Sequence, residues 1–432
     1  MKLFNSKNLF SRLLITLIYI LLYIYIYKNY LYVNFEYMGY EYNSQQFTYI
    51  IFILIISVLP IFFFTGINNL SSFISLLIYI LAYIPMVITI SYYNSIDFYL
   101  RLSYQVVLLF AQTSFFCVDK IFTPKKIKPI KNKIPFNILL IAIILISIYT
   151  IAINYNNIQF VNFYVNSDEL YDLRSQNSSL LSSGINGYLI NWLSKVFYPL
   201  LLIICLSNAN YIKGSIVIAA SLLIFSITAG KIDFFMSLII IAFYFILDKN
   251  PNYIKNYFYS SLIFTLLIIS VLVLSIVDSE FGFMTASILF MRTLSISGFL
   301  FAHYVQFFQN HPYTNFAHIN FINAITNDYP YGDMPLGRAV FYGGMNGNAN
   351  FWIMDGVAGN GVLGVLLISI VFFFFLKFIN RLKSTYDERL LYLFFLPFVI
   401  SLTNVSFFTT LLTGGGIILI LVLYFVKLPI KK

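Results

Sequence analysis

Apolar stretches of about 20 residues recur along the whole chain, and each is long enough to cross the roughly 30 Å hydrocarbon core of a bilayer as a helix. The stretches that reach or approach that length lie near 10–28, 47–65, 70–92, 101–118, 135–153, 187–206, 214–229, 232–247, 257–278, 356–378, 388–403 and 405–426. The expected fold is therefore all-α: a polytopic integral membrane protein of about 12 transmembrane helices, forming a single transmembrane domain over 1–432. Composition closes off the soluble alternatives. Charged residues make up 10% of the chain, against about 25% in a soluble domain, too few to cover a water-facing surface. That excludes a cytosolic enzyme, a secreted disulfide scaffold and a disordered chain. Cys117 and Cys205 sit inside apolar runs, without the spacing of a disulfide framework or a zinc site. The first stretch follows Lys2, Lys7 and Arg12, is too long for a signal-peptide core and precedes no small-residue cleavage site, so it reads as a retained span.

Lysine and arginine set the direction, because cytoplasmic loops carry the excess of both. With the N-terminus inside and the spans alternating, all but seven of the 26 basic residues fall in the cytoplasm. The seven are Lys28, Arg101, Arg174, Lys195, Lys231, Arg292 and Arg338. Both termini are then cytoplasmic. The basic run from Lys120 to Lys133 becomes a topological anchor beside anionic lipid, and the net charge of +10 needs no nucleic-acid partner.

Polar chain that is not needed to join helices is usually functional. Two such loops occur, 154–186 and 279–355, and both fall outside. The active face is therefore expected on the extracytoplasmic side. Within the second loop, 281–308 is apolar enough to be helical and is expected to lie at the interface or re-enter the membrane. As a crossing helix it would put Lys377, Arg381, Lys383 and Arg389 outside, against the charge rule. Residues 309–337 then read as true loop, with Pro312, Pro330 and Pro335. The stretch 338–364 is rich in glycine and asparagine: Gly343, Gly344 and Gly347 permit φ > 0 turns and close approach, and Gly356, Gly359, Gly361 and Gly364 permit tight helix packing.

Arginine near lipid is costly unless it is paired or faces water, and its planar fork matches phosphate oxygens. The outer arginines Arg292, Arg338 and Arg174, supplemented by Lys231, are therefore candidates for a lipid-linked phosphate or pyrophosphate. Arg174 has Asp172 and Glu169 as alternative partners. The possible proton acceptors are His303, His311, His318, Asp328, Asp333 and Asp355, with His303, His311 and Asp333 the candidates for a general base. His303 follows Arg292 by eleven residues, about three helical turns, which puts the two roughly on one face. Among the outer-loop aromatics Tyr304, Tyr313, Tyr329, Tyr331, Tyr342 and Trp352, ring faces and polar handles suit sugars. Tyr304, Tyr342, Asn348, Asn350, Trp352 and Asp355 are the candidate glycan contacts. No metal-ligand spacing and no phosphate-binding glycine loop is present, so no metal and no cofactor is expected.

These features resemble the Wzy-type O-antigen and capsule repeat-unit polymerases of bacteria. The likeness rests on the many spans with a large late outer loop and on Arg292, Phe299, Tyr304, Phe307 and Phe308 followed by Asn310-His311-Pro312. It rests further on Asn348-Ala349-Asn350-Phe351-Trp352 with Asp355-Gly356, and on the short Gly230-Lys231 turn. Some members pair Arg with Gly at a set spacing in both outer loops; here Gly184 follows Arg174 by ten residues, close to that pattern. The resemblance implies a glycosyltransferase of the bacterial cytoplasmic membrane with a fold similar to the C-type glycosyltransferases. It would move a glycan from undecaprenyl pyrophosphate onto the terminal sugar of another lipid-linked repeat unit. The implied partners are the lipid-linked oligosaccharide, membrane lipid, a chain-length regulator and a flippase. An O-antigen ligase-type transferase would use the same donor and the same arginines. A flippase or transporter should instead show internal repeats or charged, broken helices near midplane; no repeat relates the halves, and Lys195 is the main charge within a span.

Overall fold

The computed structural model describes residues 6–121, 133–158, 184–228, 230–247 and 250–430. The described chain is helical almost throughout; a two-residue parallel pairing of Ile134–Pro135 with Val426–Lys427 is its only sheet. In chain order the apolar helices are α1 (Leu9–Met38), α2 (Phe47–Phe63), α3 (Leu70–Tyr92), α4 (Phe98–Ile121), α5 (Phe136–Ile153), α6 (Gly184–Ser207), α7 (Tyr211–Thr228), α8 (Lys231–Ile246), α9 (Phe258–Ser275), α10 (Glu280–Phe308), α11 (Trp352–Lys383) and α12 (Gly416–Phe425), with the 15-residue helix Glu388–Leu402 between the last two. Among the described residues, nine of these are long and apolar enough to cross a membrane, and α2, α8 and α12 are shorter. The chain is thus a multi-pass helical membrane protein. One stretch departs from the sequence reading. The stretch 405–426 is not one helix: Phe407–Leu411 ends in a turn through Gly414 and Gly415, with Gly415 at φ +78°, before α12 begins. Three successive glycines carry no side chains to pack and favour that turn. The stretch 281–308, expected to be helical, lies within α10.

Contacts divide the chain into two compact units. One comprises Met1–Lys125, Asn250–Asn380 and Leu402–Phe407; the other comprises Lys126–Lys249, Arg381–Ser401 and Phe408–Lys432.

In the first unit α3 is the centre, with 94% of its apolar window buried. Tyrosine hydroxyls set the register around it. Tyr19 donates to the Ile80 carbonyl, Tyr23 bonds Thr89 at 2.9 Å, and Tyr27 stacks on Tyr92, so α1 runs parallel to α3. Tyr79 and Tyr83 donate to the Ser57 and Ile56 carbonyls, so α2 runs antiparallel. Gln105 and Gln112 reach the Val87 and Ser75 carbonyls, which makes α4 antiparallel too. Buried polar groups hold position only when paired, and here each pairing also fixes a depth. One end of the unit is basic: Arg12 donates to the Phe64 carbonyl, the Lys255 carbonyl accepts from Ile67, and Asn380 bridges Ser71 and Asp119. The opposite end gathers the turns 39–46 and 93–97, joined by Tyr93 donating to the Gly39 carbonyl and Asn43 to the Tyr92 carbonyl.

In the second unit the turn before α12 packs on α6: Trp192 Nε1 donates to the Leu412 carbonyl at 3.1 Å, and the Gly415 backbone lies against Trp192 and Val196. Arg389 lies over the Tyr244 ring at 4.3 Å.

Candidate functional site

The candidate site lies toward the end of the first unit that holds the turns 39–46 and 93–97. Its frame is α10, and the two ends of α10 meet that same end. Near its start, Tyr30 close to the end of α1 donates to the Phe283 carbonyl and bonds Ser287. Just past its finish, the Gln309 side chain accepts from the Asp97 amide and donates to the Ser95 carbonyl. Between them, the π-helical stretch Ser287–Ser295 packs against Tyr79–Tyr83 of α3, and Gly298 abuts Thr89 and the Pro85 carbonyl. So α10 enters from one end of the unit, reaches the middle of α3 and returns to the same end.

Arg292 sits in that π-helical stretch and is exposed. Its charge is close enough to act on Tyr40, a buried tyrosine that bonds Ser295 and stacks on Phe299 at 4.4 Å. Burial raises the Tyr40 phenol above its ordinary range, and the Ser295 hydrogen bond and Arg292 pull partly against it. The phenol therefore stays protonated beside the guanidinium. Nothing in the sequence singled out Tyr40, which lies in a short turn remote from 279–355.

Arg292 is exposed, whereas His303 is half-buried. The His303 ring is sandwiched against Phe299 at 4.2 Å and Phe341 at 5.2 Å, with Gly39 against Nε2. A carbonyl can only accept, so its Nδ1–H donates to the Phe299 carbonyl at 3.0 Å. His311 makes the same bond to the Phe307 carbonyl at 2.8 Å and lies flat on the Phe307 ring at 3.9 Å. It is half-buried, next to Tyr342. Tyr331 donates to the Pro312 carbonyl and packs on Phe307. Burial pushes its phenol up to about 12, so it remains a donor at any cellular pH. Asp333 and Arg338 are both exposed on the loop above.

The Gly/Asn stretch does not stay on the surface. Residues 347–352 run down into the unit, where Phe351 and Trp352 pack on Phe115 of α4. The Gly347 carbonyl accepts from Tyr304, and Asn350 Oδ1 accepts from the Trp352 and Ile353 amides. The chain then turns back at Asn360 and at Gly361, whose φ +57°, ψ −137° suits glycine alone. The two arms of this hairpin are pinned by Trp352 Nε1 donating to Ser369 and by Phe351 against Phe372.

This placement corrects the expected glycan contacts. Tyr304, Asn350, Trp352 and Asp355 are fully buried with protein partners and have no surface to offer a sugar. Asp355 Oδ2 accepts the Phe407 amide, and Oδ1 faces His318 Nε2 at 3.5 Å. Tyr342, 79% exposed, and exposed Asn348 remain on the surface. Of the expected phosphate ligands, Arg292 and Arg338 belong to the first unit. Lys231 begins α8 in the second unit, its side chain outside the described residues, and Arg174 lies wholly outside them. No group of three or more His, Cys, Asp or Glu side chains that could hold a metal ion occurs among the described residues. No protein-family model, curated protein or solved structure matches the chain.

Proposed function

We propose that the chain is a polymerase of lipid-linked oligosaccharide repeat units, a glycosyltransferase of the bacterial cytoplasmic membrane. In this reading the chain has about 12 spans, cytoplasmic termini and an extracytoplasmic site at the end of the first unit that holds the turns 39–46 and 93–97. The observation that carries it is Arg292: an exposed arginine in the part of α10 that packs at mid-α3, reached by a helix that enters and leaves by one end. The planar fork of an exposed arginine matches phosphate oxygens, and a phosphate on a lipid carrier would bring such an anion to it.

The acceptor hydroxyl attacks the anomeric carbon of the donor sugar, forming the new glycosidic bond as the bond to the pyrophosphate oxygen breaks. Arg292 and Arg338 take up the charge developing on the leaving pyrophosphate, with Arg174 and Lys231 as further candidates. The hydroxyl proton goes to a base. His311 is favoured over His303, since Nδ1 is committed as a donor in both and Nε2 of His303 lies against Gly39. Asp333 is the exposed carboxylate on the same loop. Pyrophosphate leaves readily, so positioning outweighs the base in this scheme.

Deletion of the gene, read on a gel of the surface glycan, tests the activity. Loss of the ladder with a single-unit band retained supports polymerisation; unchanged chain lengths reject it. Lipid-linked polymer left unattached would indicate a ligase, and cytoplasm-facing single units a flippase. Arg292→Lys, which keeps the charge but loses the fork, is expected to lower activity by about a hundredfold, as loss of one preorganised donor does. Wild-type polymer length from that variant would remove Arg292 from the site.

A further inference from the structure

The turn that closes the short helix Leu336–Ala339 is built in an unusual way. The Gly343 amide donates to the Arg338 carbonyl at 2.9 Å and the Tyr342 amide to the Ala339 carbonyl at 3.1 Å. That pair of bonds is the Schellman closure of a helix, in which the residue donating the inner bond adopts the left-handed conformation and is usually glycine. Here it is Tyr342, at φ +49°. The next residue, Gly343, is also left-handed, at φ +85°, and Gly344 follows it. The chain accepts left-handed backbone at an aromatic residue and leaves the ring 79% exposed. Neither feature contributes to the fold, since the ring buries little and glycine would close the turn with less strain.

What the arrangement does achieve is presentation. The Tyr342 ring stands edge-on to Phe307 at 5.9 Å and to His311 at 6.1 Å, so it is braced and open. Arg338, which accepts the outer bond of the same turn, is also exposed and makes no ion pair among the described residues. One rigid turn thus carries a fork that fits phosphate oxygens and, four residues on, an aromatic face that fits the apolar side of a sugar ring. A membrane-interface anchor would need the ring but not the strained backbone, and it would not need the arginine.

We propose that this turn is a glycosyl-phosphate subsite, in which Arg338 binds the phosphate and Tyr342 stacks on the sugar attached directly to it. The inference rests on the reading above that Arg338 meets the lipid-linked phosphate, and it adds recognition of the first sugar by the same turn.

The test uses the full chain in lipid nanodiscs and saturation-transfer NMR. The probes are glucose 1-phosphate, galactose 1-phosphate and N-acetylglucosamine 1-phosphate, with the corresponding methyl glycosides and inorganic phosphate as controls. At least one sugar phosphate is expected to receive saturation at its ring protons. Inorganic phosphate should compete in the wild type but not in Arg338→Gln. Tyr342→Leu should lower the signal by about fivefold, the worth of one stacking contact, and Tyr342→Phe should keep it. Tyr342→Gly removes the ring while relieving the backbone, so lost transfer with an undiminished unfolding temperature assigns the loss to the ring. No transfer from the wild type to any probe, or full transfer from Tyr342→Leu, overturns the subsite. The two proposals fail separately. Normal chain lengths after gene deletion would end the polymerase reading while leaving a Tyr342- and Arg338-dependent signal in place. A lost ladder after deletion, with wild-type transfer and wild-type polymer from Tyr342→Leu, would end the subsite alone.

Discussion

His318 and Asp355 show what single residues do inside this fold. The Thr314 hydroxyl has one proton, and it goes to the Ala358 carbonyl at 2.8 Å. Thr314 Oγ1 must therefore accept from His318 Nδ1–H, also at 2.8 Å. That leaves Nε2 and Asp355 Oδ1 facing each other at 3.5 Å in a buried site. The pair ties the loop 311–319 to the first arm of the hairpin, and the Asp355–Phe407 bond ties both to the segment 402–407. Removing one partner of a buried pair typically costs about 3–5 kcal/mol, so Asp355→Ala is expected to lower the unfolding temperature in detergent markedly. Asp355→Asn, which keeps an acceptor for the Phe407 amide, should lose less; equal stability of all three proteins would show that the pair does not hold the loop. At Tyr342 the sign is opposite. Replacing a left-handed aromatic with glycine is expected to stabilise by about 1 kcal/mol, visible as a raised unfolding midpoint. The sequence identified Asp355 and Tyr342 alike as polar or aromatic residues in a Gly/Asn-rich stretch. It could not separate them, because burial here depends on where residues 311–319 fold back.

At the scale of elements, two devices shape the site. The first is the π-helical stretch in α10, which sets the orientation of Arg292 relative to the helix that follows. Three residues after Arg292 the winding returns to α-helical, so the wider turn changes its phase relative to His303 only modestly. The second is the hairpin of α11. A Cβ on Gly364 would lie 2.1 Å from the Gly356 carbonyl oxygen, a backbone atom that cannot step aside. Gly364→Ala should therefore open the hairpin and cost about 1–3 kcal/mol. Gly344→Ala, where the nearest atom is 3.3 Å away, is the control expected to be near neutral. Comparable stability of the two variants would show that the arms do not pack through Gly364. The need for small residues here was legible from their spacing. That they serve a hairpin inside one apolar stretch was not, since a turn at Asn360-Gly361 leaves hydropathy unchanged.

For the molecule as a whole, the question is sidedness, and α10 is the place to test it. Ser279 and Asn310 bracket that helix and are both exposed. With Cys117 and Cys205 replaced by serine, single cysteines at these two positions should react with a membrane-impermeant maleimide from one and the same side. A cysteine at Lys255, at the basic end, should react only from the other. Labelling of Ser279 and Asn310 from opposite faces would make α10 a crossing helix and would reverse the orientation of everything after it. The charge rule argued for the same arrangement from the lysines and arginines downstream, independently of any contact.

Hydrophobic length and the placement of basic residues determined that this chain is a helical, multi-pass membrane protein, because lipid solvation acts on each segment by itself. They also located the arginines worth testing, since charge near lipid is costly wherever the helices go. Which polar side chains remain on the surface was decided only by tertiary structure. The descent of 347–352 buried Asn350, Trp352 and Asp355, and the Schellman turn left Tyr342 and Arg338 outside. These outcomes depend on contacts between segments far apart in the chain, and no local period or composition encodes them.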